Sequence, residues 1–289
     1  MTLKDYAAAG AVIVLWALNF VIGKTGLGQF PPLFFVTMRL GFAALVLSPL
    51  LRHHHKPWGL IVGLSAVLGG AHFGLMFTGL SGIDAAVTAI AVQLGVPFSA
   101  LLAALLERDR LNNRQVVGML IAFGGVWILA GEPRTATSLP HLLMVVTAAF
   151  AWALGNVLIR HIGPIKPLLL NAWVSILAAP QLALLSLTLE AGQLDAAQAA
   201  DWRGWGAVAY TALGASIGAY GLWYYLLGRH PMSRIVPLTL LAPVLGVCFS
   251  ILILGEPLTL RLIAGGAVTI AGVALIQLTA TKVADPPEG

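Results

Sequence analysis

Ten stretches of roughly 20 apolar residues, parted by short polar breaks, leave this chain few folds to choose from. They run near 5–23, 31–51, 58–80, 84–106, 114–131, 139–160, 167–190, 204–227, 232–255 and 260–279. Segments of that length must satisfy their own backbone polar groups in hydrocarbon, so each is expected to be a helix. Composition excludes the soluble alternative. Of 289 residues 59% are hydrophobic and 9% charged, against about 25% charged in soluble domains. The expected fold is all-α, a polytopic membrane protein of ten transmembrane helices. Residues 5–23 read as a retained helix rather than a cleaved leader, because no small-x-small site follows.

The chain also repeats itself. WALNFVIGK at 16–24 returns as WALGNVLIR at 152–160. LNNRQVVGMLIAFGGV at 111–126 aligns with LTLRLIAGGAVTIAGV at 258–273, and GLMFTGL at 74–80 with GLWYYLL at 221–227, both at an offset of 147. Two related five-helix halves are expected, 1–131 and 132–280, followed by a disordered cytoplasmic tail at 281–289.

Charge orients them. With the N-terminus inside, the inner loops hold Lys4, Arg52, Lys56, Arg108, Arg110, Arg114, Arg160, Lys166, Arg229, Arg234 and Lys282. The outer side holds only Lys24, Arg134, Arg203 and Arg261. The positive-inside rule therefore puts both termini in the cytoplasm, with a bacterial inner membrane as the expected location. Five helices per half is an odd number, so the second half must enter inverted. Inverted repeats point to a transporter whose site lies between the halves near the midplane. The basic pI reflects these loops and no nucleic-acid patch.

WALNFVIGK, FVTMRLGFAAL at 35–45 and LGEPLTLRLIAGGAVTIAGVALI at 254–276, with its weaker copy at 107–129, together resemble the ten-helix EamA-type exporters of the drug/metabolite transporter superfamily. Within that group the chain is similar to bacterial amino-acid exporters of the EamA and YddG kind. The resemblance implies export of amino acids, without a cofactor, by a monomer or homodimer in the lipid bilayer. One departure is that the first copy reads ERDRL where the second reads GEPLTL.

Candidate site residues are polar or aromatic groups at mid-depth. Arg39 lies eight residues into the second span, where a cation in lipid is costly; it either serves the substrate or bonds a neighbouring helix. The positions of His72 and Met76 are answered at the repeat offset by Ala219 and Trp223, beside Tyr220 and Tyr224, and these side chains could line an aromatic-walled pocket or simply pack. Trp16, Asn19, Trp152 and Asn156 come from the duplicated helices. Gln93 accompanies Pro97, Pro237 and Pro243, expected hinges or plain kinks. Gly118 with Ala122, and Gly265 with Thr269, read as close packing between helices or in a dimer.

Other motifs fail. Gly23-Lys24-Thr25 lacks the first glycine of a phosphate loop. Gly214-Ala215-Ser216-Ile217-Gly218 has no preceding strand, so no catalytic serine is expected. His53-His54-His55 reads as part of a basic loop and not as a metal site. No metal site and no enzyme activity are expected. Asp84, Glu107 and Glu256 fall at helix ends, which argues against a drug-cation carrier and leaves His72 as the candidate proton carrier. Proton exchange and facilitated exit both remain open. The expected cargo is amino acids, aromatic ones favoured and Thr, Met or Cys also carried; cationic drugs or nucleotide-sugars are the alternative.

Overall fold

The computed structural model describes residues 1–52, 58–106, 111–132, 138–163, 165–230 and 235–284. His53–His55 and Glu107 lie outside these residues, as do the side chains of Tyr224 and of 279–284. Helix α1 spans Leu3–Leu27, started by a capping box in which Thr2 and Asp5 satisfy each other's backbone N–H groups. Helix α2 runs Pro32–Leu47 and tightens into a 3-10 turn at Ser48–Arg52. The next five are α3 (Trp58–Gly82), α4 (Ala85–Leu106), α5 (Asn113–Ala130), α6 (Leu139–Ile162) and α7 (Pro167–Leu189). A short exposed helix, Gln193–Ala199, precedes α8 at 202–227. It accounts for the longer repeat offset beyond that point. Helix α9 covers 236–254 and α10 Leu260–Ala284.

Among the described residues, nine of these helices are long and apolar enough to cross a bilayer. Helix α8 is the exception, because its glycines, tyrosines and Trp223 lower its hydropathy. The chain is thus an all-α, multi-pass membrane protein. Helix α10 continues through 281–284, meeting no helix breaker before Pro286; 285–289 of the expected tail lie outside the described residues.

Water does not drive helices together inside a bilayer, so close backbone approach and hydrogen bonds must. The tightest seam joins α5 to α10. A Cβ on Gly118 would lie 2.8 Å from the Gly272 carbonyl oxygen, and one on Gly265 would lie 2.9 Å from that of Gly125. These two contacts exchange when residue n is replaced by n + 147, and they run in opposite directions along the two helices. Gly118, Ala122, Gly265 and Thr269 therefore pack α5 on α10.

The other pairings have the same form. Helix α1 packs on α8 and α9, and α6 on α3 and α4; α2 lies on α7, and α4 on α9. Local irregularities are duplicated as well. Both α3 and α8 widen into nine-residue π segments, Ser65–Phe73 and Tyr210–Gly218. Both α4 and α9 carry a 3-10 turn, Val92–Leu94 and Val236–Leu240, shortly before Pro97 and Pro243. Each proline removes the N–H that an α-helix would send back four residues, which accounts for the tightened turn there. Pro237 opens the second turn.

The outer ends, by the charge rule, are stitched together. Lys24 Nζ donates to the carbonyls of Leu80, Ser81 and Ile83, 2.7 to 3.0 Å away, closing the end of α3. The Glu256 carboxylate accepts the Ala85 and Ala86 N–H groups at 2.6 and 2.9 Å. The Glu190 carboxylate likewise accepts those of Leu33 and Phe34 at 2.7 and 3.0 Å. Each supplies acceptors to first-turn donors that no intrahelical carbonyl can reach.

Candidate functional site

Four helices, α1, α2, α3 and α8, bring their polar and aromatic side chains together at mid-depth. Arg39 is 2% exposed at the centre of α2. Its Nε and Nη2 donate to Ser216 Oγ at 3.3 and 2.9 Å. Its guanidinium lies over the rings of Phe73 and Phe77, 4.6 and 5.1 Å from their centroids. A hydroxyl and two ring faces, rather than a carboxylate, hold this cation in the bilayer interior.

The π segment of α8 explains why Ser216 is available. Widening a helix to i→i+5 bonding leaves carbonyls whose usual donors have moved. Ser216 Oγ donates to the Thr211 carbonyl at 2.9 Å, and Asn171 Nδ2 on α7 donates to that of Ser216 at 3.0 Å. The same hydroxyl then faces Arg39. In α3 the π segment contains His72, whose Nδ1 donates to the Ala148 carbonyl of α6 at 2.9 Å. That bond fixes the proton on Nδ1 in the neutral ring, because a carbonyl only accepts.

Aromatic rings close the α1–α8 side. Trp16 sits 5.6 Å from Tyr220, edge to face, and 5.5 Å from Trp223. Tyr220 stands one turn along α8 from Ser216, which accepts from Arg39. Asn19, one turn beyond Trp16, is 8% exposed. Trp16, Asn19, Arg39, His72 and Tyr220 therefore belong to one neighbourhood. Met76 is buried with Phe35, Phe77 and Leu182 in the apolar core beside it.

Three further expected site residues stand on α4 and α6. The Trp152 ring on α6 covers Gly95 of α4, where a Cβ would come within 2.8 Å of it. Gln93 is half-buried in the 3-10 turn of α4, and Asn156 is half-buried one turn past Trp152. Pro97 and Pro243 are buried. Ser216 and Asn171 are the members that sequence reasoning missed. Ser216 stands among small residues that read as packing, and nothing in their spacing marks a π segment. Among the described residues, Asp84, Glu132, Glu190 and Glu256 all stand at helix ends.

Comparison with known proteins gives a consistent result. The EamA-like transporter family matches residues 5–131 and 139–278. A "probable amino-acid metabolite efflux pump" of Salmonella typhimurium strain LT2 is 30% identical over 94% of each chain. Its namesake in Escherichia coli strain K12 is 30% identical over 90% of each. A protein of known crystal structure superposes with a TM-score of 0.64 at 19% identity, over 99% of this chain and all of its own, a likeness of fold alone.

Proposed function

This chain belongs to the EamA-like transporter family, and on that premise we propose that it exports amino acids and related metabolites across the bacterial inner membrane by alternating access. It performs no chemistry on its cargo in this reading. Both termini are cytoplasmic, and the halves 1–131 and 132–280 are inverted repeats whose exchange of conformation opens the site to either side. The antiparallel, self-exchanging glycine contacts of α5 and α10 support that inversion.

The observation that carries the cargo assignment is the ring cluster of Trp16, Tyr220 and Trp223 beside the buried Arg39. In this proposal an apolar or aromatic side chain lies against those rings, while Gln93, Trp152 and Asn156 form the facing wall. Ring contacts add about 0.5–1.5 kcal/mol beyond area burial, roughly a threefold to tenfold preference. The exporter is therefore broad, with aromatic amino acids favoured and Thr, Met or Cys also carried. A carrier of cationic drugs would need an acidic group at mid-depth, and the described carboxylates stand at helix ends.

The test is counterflow of labelled phenylalanine in liposomes containing only the purified protein. Phe, Tyr and Trp should compete best, with Thr and Met weaker by the stated factor. Strict selectivity for one small polar amino acid would contradict the loose aromatic site.

A further inference from the structure

Two buried polar atoms of opposite character lie unsatisfied in this neighbourhood. Arg39 spends Nε and Nη2 on Ser216, while its buried Nη1 has no hydrogen-bond partner among the described residues. The buried Oδ1 of Asn19 likewise has none. One is a charged donor and the other an acceptor, and leaving either unsatisfied in the bilayer interior is costly.

Their surroundings place them together. Trp16, Asn19 and Gly23 are at i, i+3 and i+7, so they share one face of α1. Trp16 touches Tyr220, one turn along α8 from Ser216, which accepts from Arg39 at 2.9 Å. Gly23 abuts Phe77, where a Cβ would come within 2.9 Å of the ring, and Arg39 lies over that same ring. Asn19 thus stands between two contacts that both lead to Arg39, where α1, α2, α3 and α8 pack together.

We propose that Arg39 and Asn19 are the two poles of a zwitterion subsite, Arg39 Nη1 donating to the cargo's α-carboxylate and Asn19 Oδ1 accepting from its α-ammonium. The assignment rests on the amino-acid reading above and adds how the backbone of the cargo is recognised. It places the side chain toward the rings one turn away on α1, so the poles read what every amino acid shares and the rings read what differs.

The test uses the full chain in liposomes, with labelled phenylalanine counterflow competed by phenylalanine, by phenethylamine (no carboxylate) and by 3-phenylpropionate (no ammonium). In the wild type each analogue should compete about tenfold or more weakly than phenylalanine, as expected for a lost charge-assisted hydrogen bond. Arg39→Gln should weaken phenylalanine about tenfold to a hundredfold, to the level of phenethylamine, while phenethylamine itself changes by less than about threefold. Asn19→Leu should bring phenylalanine down to 3-phenylpropionate in the same selective way. Equal loss for all three compounds in either variant overturns the subsite and leaves the residue as a helix tie. If Arg39→Gln does not fold, Arg39→Lys keeps the charge and must keep the preference for phenylalanine over phenethylamine; loss of that preference in a folded Arg39→Lys also overturns the proposal. A wild type that carries no amino acid at all overturns the cargo reading itself, and the subsite with it.

Discussion

Adjacent glycines on α5 should respond to the same substitution with opposite sign. In Gly125→Ala the new Cβ would lie 2.7 Å from the Gly265 carbonyl oxygen and closer still to the Thr269 backbone nitrogen. Ordinary contacts begin near 3.4 Å, so, with the Thr269 nitrogen at 2.4 Å, α10 must retreat by about 1 Å along a seam that is backbone on both sides. Overpacking of this kind costs about 1–3 kcal/mol. In Gly124→Ala the Cβ meets nothing within 4 Å. Both variants gain the same helix propensity, about 1 kcal/mol for Ala over Gly. Gly124→Ala should therefore be neutral to stabilising, and the difference between the two variants isolates the packing cost. At about 2–4 °C per kcal/mol for chains approaching this size, thermal unfolding in detergent should separate them by several degrees. Scan rates must be matched, since unfolding of such proteins is governed by rates. Equal shifts, or a more stable Gly125→Ala, would refute the claim that backbone contact holds this seam.

Three further outcomes are expected. Trp16→Ala and Trp152→Ala should weaken aromatic cargo about threefold to tenfold more than threonine in liposome competition; equal loss would make the rings mere supports. Burial lifts the Glu256 carboxyl above its usual range, against the pull of the Ala86 and Ala85 N–H groups. An acid raised in the fold favours folding below its unfolded value and loses that contribution as pH rises through the raised one. Wild type should therefore lose thermal stability relative to Glu256→Gln over that rise, and a pH-independent difference would contradict it. In a Cys248→Ser background, cysteines introduced at Thr2 and Asp195 should be labelled from opposite sides of the membrane, and those at Ser138 and Asp195 from the same side.

Much of the scaffold is legible in the sequence because lipid enforces it. Segment length and apolarity locate the spans, and the glycines of α5 and α10 recur at one offset because the seam they build is duplicated. The irregular parts were not legible. A π segment follows from how α8 must carry its polar groups past α2 and α7, and Gly214–Gly218 spells small-residue packing just as well. The helix Gln193–Ala199 reads as a polar break because it lacks an apolar stripe. Glu190 and Glu256 look like loop carboxylates until the N-terminal turns of α2 and α4 are seen against them. For the site, Arg39, Asn19, Trp16, His72 and Tyr220 stood out as costly or aromatic groups at mid-depth. Their convergence depends on which helix faces which.

The scaffold is paired while the neighbourhood of Arg39 is not, and under the proposed alternating-access export of amino acids the difference follows from what each must do. Two halves that trade conformations need seams of equal cost in either arrangement, so Gly118 with Gly272 mirrors Gly265 with Gly125. An amino acid has no two-fold axis. In that proposal a duplicated set of polar groups would offer it two equivalent and competing poses, and the paired positions differ in the way this requires. Helices α2 and α7 both begin with proline, at Pro32 and Pro167, and that offset sets Arg39 opposite Val174. The offset of Trp16 to Trp152 sets Asn19 opposite Gly155, whose absent side chain lets Leu68 of α3 pack against α6. One half thus carries the charge and the amide at these positions, while the other carries an apolar residue and a tight helix contact. Restoring symmetry by Val174→Arg should then be far more damaging than a conservative change. It would bury a second cation, where the present side chain is 6% exposed, among the apolar Ile61, Leu64 and Leu170. A folded, active Val174→Arg protein with unchanged cargo ranking would show that the asymmetry is incidental.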